Sequence, residues 1–361
     1  VLKKILLFSC EPGGAEVIIP VARLLAETGC YDVTVTGYGY AIDRFEKQRL
    51  PYILVEKIEK NDIGFMNRFA PDLVITSATS IPAKDMSEKY LWHLSRKAGI
   101  KSIAFLDQWQ NYSLRFSGVT EQERLAYLPD AINCIDEIGK KEMIDEGFDS
   151  NILHPLGHPY LDRLELIADK LDPIAIRNLL NIGQDENVIL FVSEAIEEYY
   201  GSERGYTQYD ALQVFLKNTR TVNAPSILIK LHPKDDITKF KQIQAAFPQH
   251  NLIFISNELT SLDCIVLSNR VFGMTSIMLI EAYILGKPVV SIQPNLKCVD
   301  PFILSRYGYV PTMRGIDFDL NLYGETLSDS TKAEKKELEY RFLAGRFLSL
   351  VNEMILSSRA Q

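Results

Sequence analysis

Arg270-Val-Phe-Gly-Met-Thr-Ser-Ile-Met-Leu-Ile-Glu281-Ala-Tyr-Ile-Leu-Gly-Lys-Pro288-Val-Val-Ser-Ile-Gln-Pro294 reads as a strand end, a turn at Gly273 and a helix opening on Thr275 and Ser276. Gly286 then closes that helix, Pro288 follows, and Val289 to Ile292 form a buried strand. A helix N-terminus carries free N–H groups and a partial positive charge, so this one suits an anion, typically a phosphate. The two hydroxyls add donors at its mouth. Glu281 stands about one and a half turns further in, within reach of a sugar hydroxyl beside that phosphate. Phosphate grip and carboxylate together point to a nucleotide or nucleotide-sugar site. The plainer alternative is an ordinary βαβ unit whose Thr and Ser only cap the helix.

Outward from this stretch, short apolar strands alternate with longer amphipathic segments. Lys4 to Phe8, Asp32 to Thr36, Tyr52 to Val55, Leu73 to Thr76 and Ser102 to Leu106 read as strands, with helices at Glu16 to Thr28, Ala41 to Gln48 and Lys84 to Ala98. Alternation of this kind predicts a parallel sheet flanked by helices, and strands apolar along their whole length fit a sheet covered on both faces. His154-Pro-Leu-Gly-His-Pro-Tyr-Leu-Asp162 cannot continue a regular element and marks the boundary. After a helical stretch to about Asn181 the alternation restarts, with strands expected at Val188 to Val192, Ser226 to Leu231, Leu252 to Ile255, Cys264 to Leu267 and Val289 to Ile292. Ser330 to Ser358 reads as a helix with Phe342, Leu343, Phe347, Leu350, Val351, Met354 and Ile355 on its apolar face. The division is 1–156, 157–332 and a terminal helix in 333–361 that packs back toward the first half.

A chain of 361 residues fits two domains of about 150 to 180 each. The net charge of −8 argues against a nucleic-acid backbone binder, while a small anionic ligand needs only a local positive site. No apolar run approaches the ~20 residues of a membrane span, and Val1 to Phe8 reads as a first strand, not a signal peptide. Peripheral contact with a membrane stays open. Cys10, Cys30, Cys134, Cys264 and Cys298 are scattered without metal spacing, which suits reduced thiols in a cytoplasm.

Several loops carry chemistry. Cys10-Glu11-Pro-Gly13-Gly14-Ala-Glu16 follows the first strand, and its glycines allow close approach to the backbone by a ligand or simply a tight turn. It lacks the GxGxxG spacing of a dinucleotide fold. Phe105-Leu-Asp107-Gln-Trp109-Gln-Asn111-Tyr112-Ser-Leu-Arg115-Phe116 runs from a buried strand into a polar and aromatic loop. Trp109 and Tyr112 offer faces for a sugar, Asn111 and Arg115 offer donors, and Asp107 can take a proton. The alternative is a loop that packs its rings down and pairs Asp107 with Arg115. Ile229-Lys-Leu-His232-Pro-Lys234 puts His232 at a strand's lip, since Pro233 stops the strand, and Lys234 adds charge. Ser193 and Glu194 end another strand, and Glu197 to Tyr209 reads as a long loop or lid. Asp145-Glu146-Gly147 is read as structural, with Gly147 closing a helix.

Taken together, two Rossmann-like halves, His232-Pro233, Thr275-Ser276 and the Glu281…Gly286-Lys-Pro288 tail resemble GT-B glycosyltransferases. The nearest likeness is to the clan of bacterial sialyltransferases, Kdo transferases and CDP-glycerol glycerophosphotransferases. Gly157-His-Pro-Tyr-Leu-Asp162 also resembles a linker of GT-B enzymes and of UDP-N-acetylglucosamine 2-epimerases. The resemblance implies two domains facing across a cleft, with His232, Thr275 and Ser276 on the phosphate of a CMP-, CDP- or UDP-linked donor and Glu281 on its ribose.

The resulting expectation is an inverting glycosyltransferase of surface-glycan assembly, with a glycan or lipid-linked acceptor. Asp107 is the acceptor base, with Glu11 second. His232, Lys234, Gly273, Thr275, Ser276, Ser193 and Glu194 face the donor; Gly13, Gly14, Trp109, Asn111, Tyr112 and Arg115 face the acceptor. No metal and no cofactor beyond the nucleotide-sugar co-substrate are demanded. Two rivals share the fold: a non-hydrolysing nucleotide-sugar 2-epimerase, and a catalytically silent module that binds a nucleotide sugar or glycan.

Overall fold

The computed structural model describes residues 1–219, 225–316 and 338–357. The chain forms two compact units, one from Val1–Arg163 with Glu339–Gln361 and one from Leu164–Leu338.

Seven strands build the sheet of the first unit: β1 (Lys3–Ser9), β2 (Tyr31–Gly37), β3 (Ile53–Leu54), β4 (Leu73–Thr76), β5 (Lys101–Phe105), β6 (Ala131–Asn133) and β7 (Leu153–His154). Their order is β3-β2-β1-β4-β5-β6-β7, with every pair parallel. Apolar residues bury both faces of the central strands, Leu6 and Phe8 toward one side and Ile5 and Leu7 toward the other. The chain moves outward from β1 in one direction and from β4 in the other. Such a reversal opens a crevice at the carboxyl ends of the two strands, where open α/β sheets place their ligands.

The terminal helix completes this unit. Ala344–Ser357 is helical, and Phe347, Leu350, Val351 and Ile355 enter the same core as Ile103 and Phe105. The Phe105 and Phe347 rings meet edge to face, with centroids 5.4 Å apart. The expected helix was longer: Phe342 and Leu343 lead into it instead of lying within it, and 330–337 and Ser358 fall outside the described residues. The lead-in segment is sewn to the Pro/Gly-rich crossover. His158 N–H donates to Tyr340 O at 2.8 Å and Leu343 N–H to Leu156 O at 2.7 Å. Gly157 has φ +86°, and a Cβ there would overlap the Arg341 backbone, so only glycine fits between the two strands of chain.

In the second unit β8 (Val188–Val192), β9 (Ser226–Lys230), β10 (Asn251–Ile255), β11 (Arg270–Gly273), β12 (Val289–Ile292) and β13 (Thr312–Met313) form an all-parallel sheet in the order β10-β9-β8-β11-β12-β13. The reversal here lies between β8 and β11. One expected strand is a helix: Cys264 to Leu267 belongs to Ser261–Leu267, opened by a capping box in which Thr260 and Asp263 bond reciprocally. A short apolar run does not reveal its period, and the cap decides it. Glu197 to Tyr209 is not one loop either, since Ile196–Tyr200 and Gln208–Asn218 are helical around a short turn. Gly147 closes the helix Glu137–Asp145 with φ +98°, as its sequence suggests. No helix among the described residues is long and apolar enough to cross a membrane.

Candidate functional site

The reversal between β8 and β11 gathers most of the residues expected to meet a nucleotide. β9 and β11 flank β8, so His232 beyond β9 and Thr275 beyond β11 stand on either side of Glu194 beyond β8. Two strand spacings separate the flanking positions, roughly 10 Å at the backbone. Glu194 already occupies the mouth of the helix Ile277–Ile284. Its carboxylate accepts from the Thr275 backbone N–H and, at 2.7 Å, from the Thr275 hydroxyl. Burial pushes the Glu194 carboxyl up, and the bonds from Thr275 and the nearby Arg204 charge hold it down. Ser276 caps the helix, its hydroxyl accepting from Met278 N–H at 3.3 Å. The Thr275 donors thus hold a carboxylate of the chain itself, while the Ser276 hydroxyl caps the helix.

His232 is set as a neutral donor. Its Nδ1 accepts the Lys234 backbone N–H at 3.1 Å, and a backbone N–H can only donate, so the ring proton belongs on Nε2. Burial, then Lys234, lower its pKa to about 4, which keeps the ring uncharged near neutrality. No acceptor meets Nε2 among the described residues. Lys234 turns its ammonium to the Tyr199 hydroxyl at 2.7 Å and lies 4.3 Å from the centre of that ring. Gly273 is required by packing, since a Cβ there would crowd Leu279 and Val192. Ser193 is buried with its backbone N–H bonded to Lys230 O, extending the β8–β9 pairing, and Glu281 is buried in the helix Ile277–Ile284. Gln208 ties the two helices around this turn together: it accepts Glu197 N–H at 3.0 Å and donates to Glu198 at 2.8 Å and to Asp235 at 3.2 Å.

The first unit corrects more. The helix after β1 begins at Pro12, so Gly13 and Gly14 lie in its first turn and not in a loop, and Glu11 is its exposed N-cap residue. What approaches these glycines is the chain itself: a Cβ on Gly13 would strike the Asp107 carboxylate, and one on Gly14 would strike Ser77 and Ser9. Asp107 pairs with Arg115 at 2.7 Å, and the buried guanidinium also donates to Gln110 O at 2.9 Å and to Ala78 O. Trp109 and Tyr112 are not exposed sugar platforms. Trp109 is 1% exposed and stacks on His158; Tyr112 is 3% exposed and donates its hydroxyl to Glu142 at 2.8 Å. Asn111 takes a left-handed backbone conformation, φ +59°, to turn the chain into the helix Tyr112–Arg115. Burial of two large rings outweighs their exposure to solvent, so the loop folds onto its own sheet.

Sequence reading missed the polar cluster behind this loop. Glu88 and Lys89 open the helix Ser87–Lys97 yet are fully buried. Glu88 accepts from the Ser77 hydroxyl and the Thr79 N–H, and Lys89 Nζ donates to Thr79 O at 3.1 Å. Burial lowers Lys89 to about 8, against the pull of Glu88. Two adjacent charges in a first turn look solvated in sequence; only the Ser77–Thr79 segment closing over them shows otherwise. His158 was read as part of a linker. Its Nδ1 accepts Leu161 N–H at 3.3 Å, so Nε2 donates to Asp107 O at 3.1 Å, and burial lowers it to about 4. Among the described residues no group of three His, Cys, Asp or Glu is placed to hold a metal ion.

No family model matches the chain, and no curated protein does. Solved structures match along its whole length. The UDP-GlcNAc 2-epimerase of Neisseria meningitidis bound to UDP-GlcNAc aligns with TM-score 0.68 and 15% identity, over 98% of this chain and 99% of that one. The chain has the GT-B fold. Anabaena HepE in complex with UDP and glucose aligns with TM-score 0.60 and 11% identity, over 99% of this chain and 98% of that one. A glycosyltransferase of Rickettsia africae gives TM-score 0.60 and 10% identity, over 99% of this chain and 94% of that one. At such identities the likeness speaks for the fold alone.

Proposed function

We propose that this GT-B chain is a nucleotide-sugar enzyme whose second unit holds the diphosphate, and that it acts as a nucleotide-sugar 2-epimerase. The observation that carries the nucleotide reading is a pair of donor groups at the ends of strands that flank β8: the His232 Nε2–H, which meets no acceptor among the described residues, and the Thr275 helix mouth, which now holds the Glu194 carboxylate. Donors at the ends of neighbouring strands suit a charged oxygen, and such donors stabilise a departing phosphate. Glu281 keeps the ribose role that the resemblance implies. The likeness to the sialyltransferase clan rests on His232-Pro233 and Thr275-Ser276, and bears on the phosphate contact more than on the sugar. UDP is the nucleotide favoured, because it stands in the names of the similar structures.

What favours epimerisation over transfer is the fate of Trp109 and Tyr112. A transferase must seat an acceptor, and the two rings expected to seat it lie in the core. An epimerase needs only the nucleotide sugar. A base takes the C2 proton as the C1–O bond to the diphosphate breaks and a C1=C2 bond forms; an acid on the opposite face then protonates C2 as the diphosphate oxygen adds back at C1. Asp107 stays the proposed base through Oδ2, since Oδ1 is held by Arg115, and Glu11 stays second. Whole-length likeness to a UDP-GlcNAc 2-epimerase supports the same choice. Glycosyl transfer to a glycan or lipid-linked acceptor at a membrane's inner face is the second reading, favoured by the Rickettsia likeness.

The test is incubation with UDP-GlcNAc alone, followed by proton NMR of the sugar. Appearance of the 2-epimer without any acceptor is expected. UDP release only on addition of an acceptor would replace this reading with transfer, and tight binding with neither would leave a silent module.

A further inference from the structure

Arg204 is a buried cation whose nearby carboxylate, Glu194, is reached only through a hydroxyl. Only 5% of it is exposed, and it lies in the turn between the helices Ile196–Tyr200 and Gln208–Asn218. Its guanidinium stacks on Tyr200, 4.0 Å from the ring centre, and donates to the Thr275 hydroxyl at 3.2 Å. No carboxylate stands within ion-pair distance of it among the described residues. Taking a guanidinium out of water without an anion is costly, so such a residue marks a place where an anion belongs. The place is defined by what Arg204 touches. Thr275 joins it to Glu194: Arg204 Nη1 donates to Thr275 Oγ1, and the same hydroxyl donates to Glu194.

Glu194 and Arg204 differ in the freedom they have to move. Glu194 is only partly covered as a residue, whereas Arg204 is enclosed. A phosphate brings more charge and more acceptor oxygens than a carboxylate, and suits a planar guanidinium and a helix mouth together. We propose that Glu194 is a built-in competitor for the phosphate seat, and that Arg204 is the clamp that takes the phosphate of a nucleoside diphosphate once Glu194 has left. This rests on reading the second unit as a nucleotide-sugar site. It adds a specificity device: a ligand must out-compete the carboxylate, so a nucleoside lacking phosphate gains nothing from the seat.

Calorimetric titration of the full chain with UDP, and with uridine as the phosphate-free control, tests this. Glu194→Gln keeps the hydrogen-bonding shape but removes the charge, and should bind UDP about 10-fold more tightly, because the seat is no longer held against the ligand. Glu194→Asp withdraws the carboxylate by one methylene and should move affinity in the same direction, which keeps the test open if the first variant folds poorly. Arg204→Gln should weaken UDP by about 10- to 100-fold, the range for a lost charged hydrogen bond. Uridine affinity should not change in any of them. Equal or weaker UDP binding in a folded Glu194→Gln or Glu194→Asp chain, or unchanged binding in Arg204→Gln, overturns the proposal and makes Glu194 a structural staple. Wild-type binding of UDP with no gain in the Glu194 variants sinks this inference alone. Absence of UDP binding in the wild type and in every variant sinks it together with the nucleotide reading.

Discussion

Asp107 in the first unit and Glu194 in the second both follow a buried strand, lie at the mouth of a helix and have an arginine nearby. Their attachments differ. Asp107 is in direct ion pair with Arg115, which has no other carboxylate bonded to it among the described residues, and it also supplies the carbonyl that His158 bonds. Glu194 is bonded to Thr275, and its arginine is reached only through that hydroxyl. The two histidines repeat the contrast. Both are held neutral with Nε2 as the donor, but His158 spends that donor on Asp107 O while the His232 Nε2 meets no acceptor among the described residues. The same parts, closed on themselves in one sheet and left open in the other, separate a structural lock from the seat proposed for a ligand.

The largest effects should come from breaking the lock. Phe347→Ala removes the ring that covers Phe105 and should cost about 3–5 kcal/mol. The loss is readable by urea unfolding followed through Trp92 and Trp109, which both lie in the first unit. Asp107→Asn leaves the buried Arg115 without its counter-charge and should destabilise the first unit by on the order of 3 kcal/mol. Glu194→Gln should cost under ~1 kcal/mol, because Arg204 holds no ion pair with it. Wild-type melting of Asp107→Asn would break the contrast between the two carboxylates; the base role proposed for Oδ2 is read separately, as a ~10²–10⁴-fold fall in turnover of the folded chain.

Acid should act on the closed histidine more than on the open one. His158 has a folded pKa of about 4, below its unfolded value, so the unfolded chain takes up the proton first. Stability of the first unit is then unaffected above about pH 6.5, falls as pH drops through the window to 4, and loses roughly 3 kcal/mol in all. His158→Gln should flatten that limb in a series of melts from pH 4 to 7; an unchanged slope would refute the buried neutral ring. His232, nearer to solvent, should contribute less to stability in the same window. Its own variant reports on binding: His232→Ala should weaken UDP by about 10-fold, with the melting temperature within a degree or two of wild type. Normal UDP affinity would remove His232 from the seat.

The central strands of both sheets were legible because they are unbroken apolar runs set off by turns, as burial on both faces of a parallel sheet requires, whereas the short outer strands β6, β7 and β13 carry no such run and were not expected. The Thr275–Ser276 mouth and the lip position of His232 were legible for a similar reason, since Gly273 and Pro233 punctuate the backbone at those points. The direction in which a loop packs was not. Trp109 and Tyr112 look the same in sequence whether they face a sugar or the sheet, and the partners that decide it, His158 and Glu142, lie far along the chain. Arg204 stayed hidden likewise: nothing near it in sequence announces that its neighbour is Thr275. Glu88 and Lys89 were invisible because burial of charge is set by tertiary closure, not by local pattern.

The first unit takes its last core helix from Ala344–Ser357, after the whole of Leu164–Leu338 has passed. A ribosome emits residues in order, at ~5–20 per second, and domains usually fold as they emerge. Here the half that begins first must wait with Phe105 uncovered and the Gly157 crossover unsewn, while the second half already has every strand it needs. Those seconds are when the nascent chain shows its most adhesive face, and a chaperone with an apolar grip would find its target at β5 and the crossover, not in the second unit.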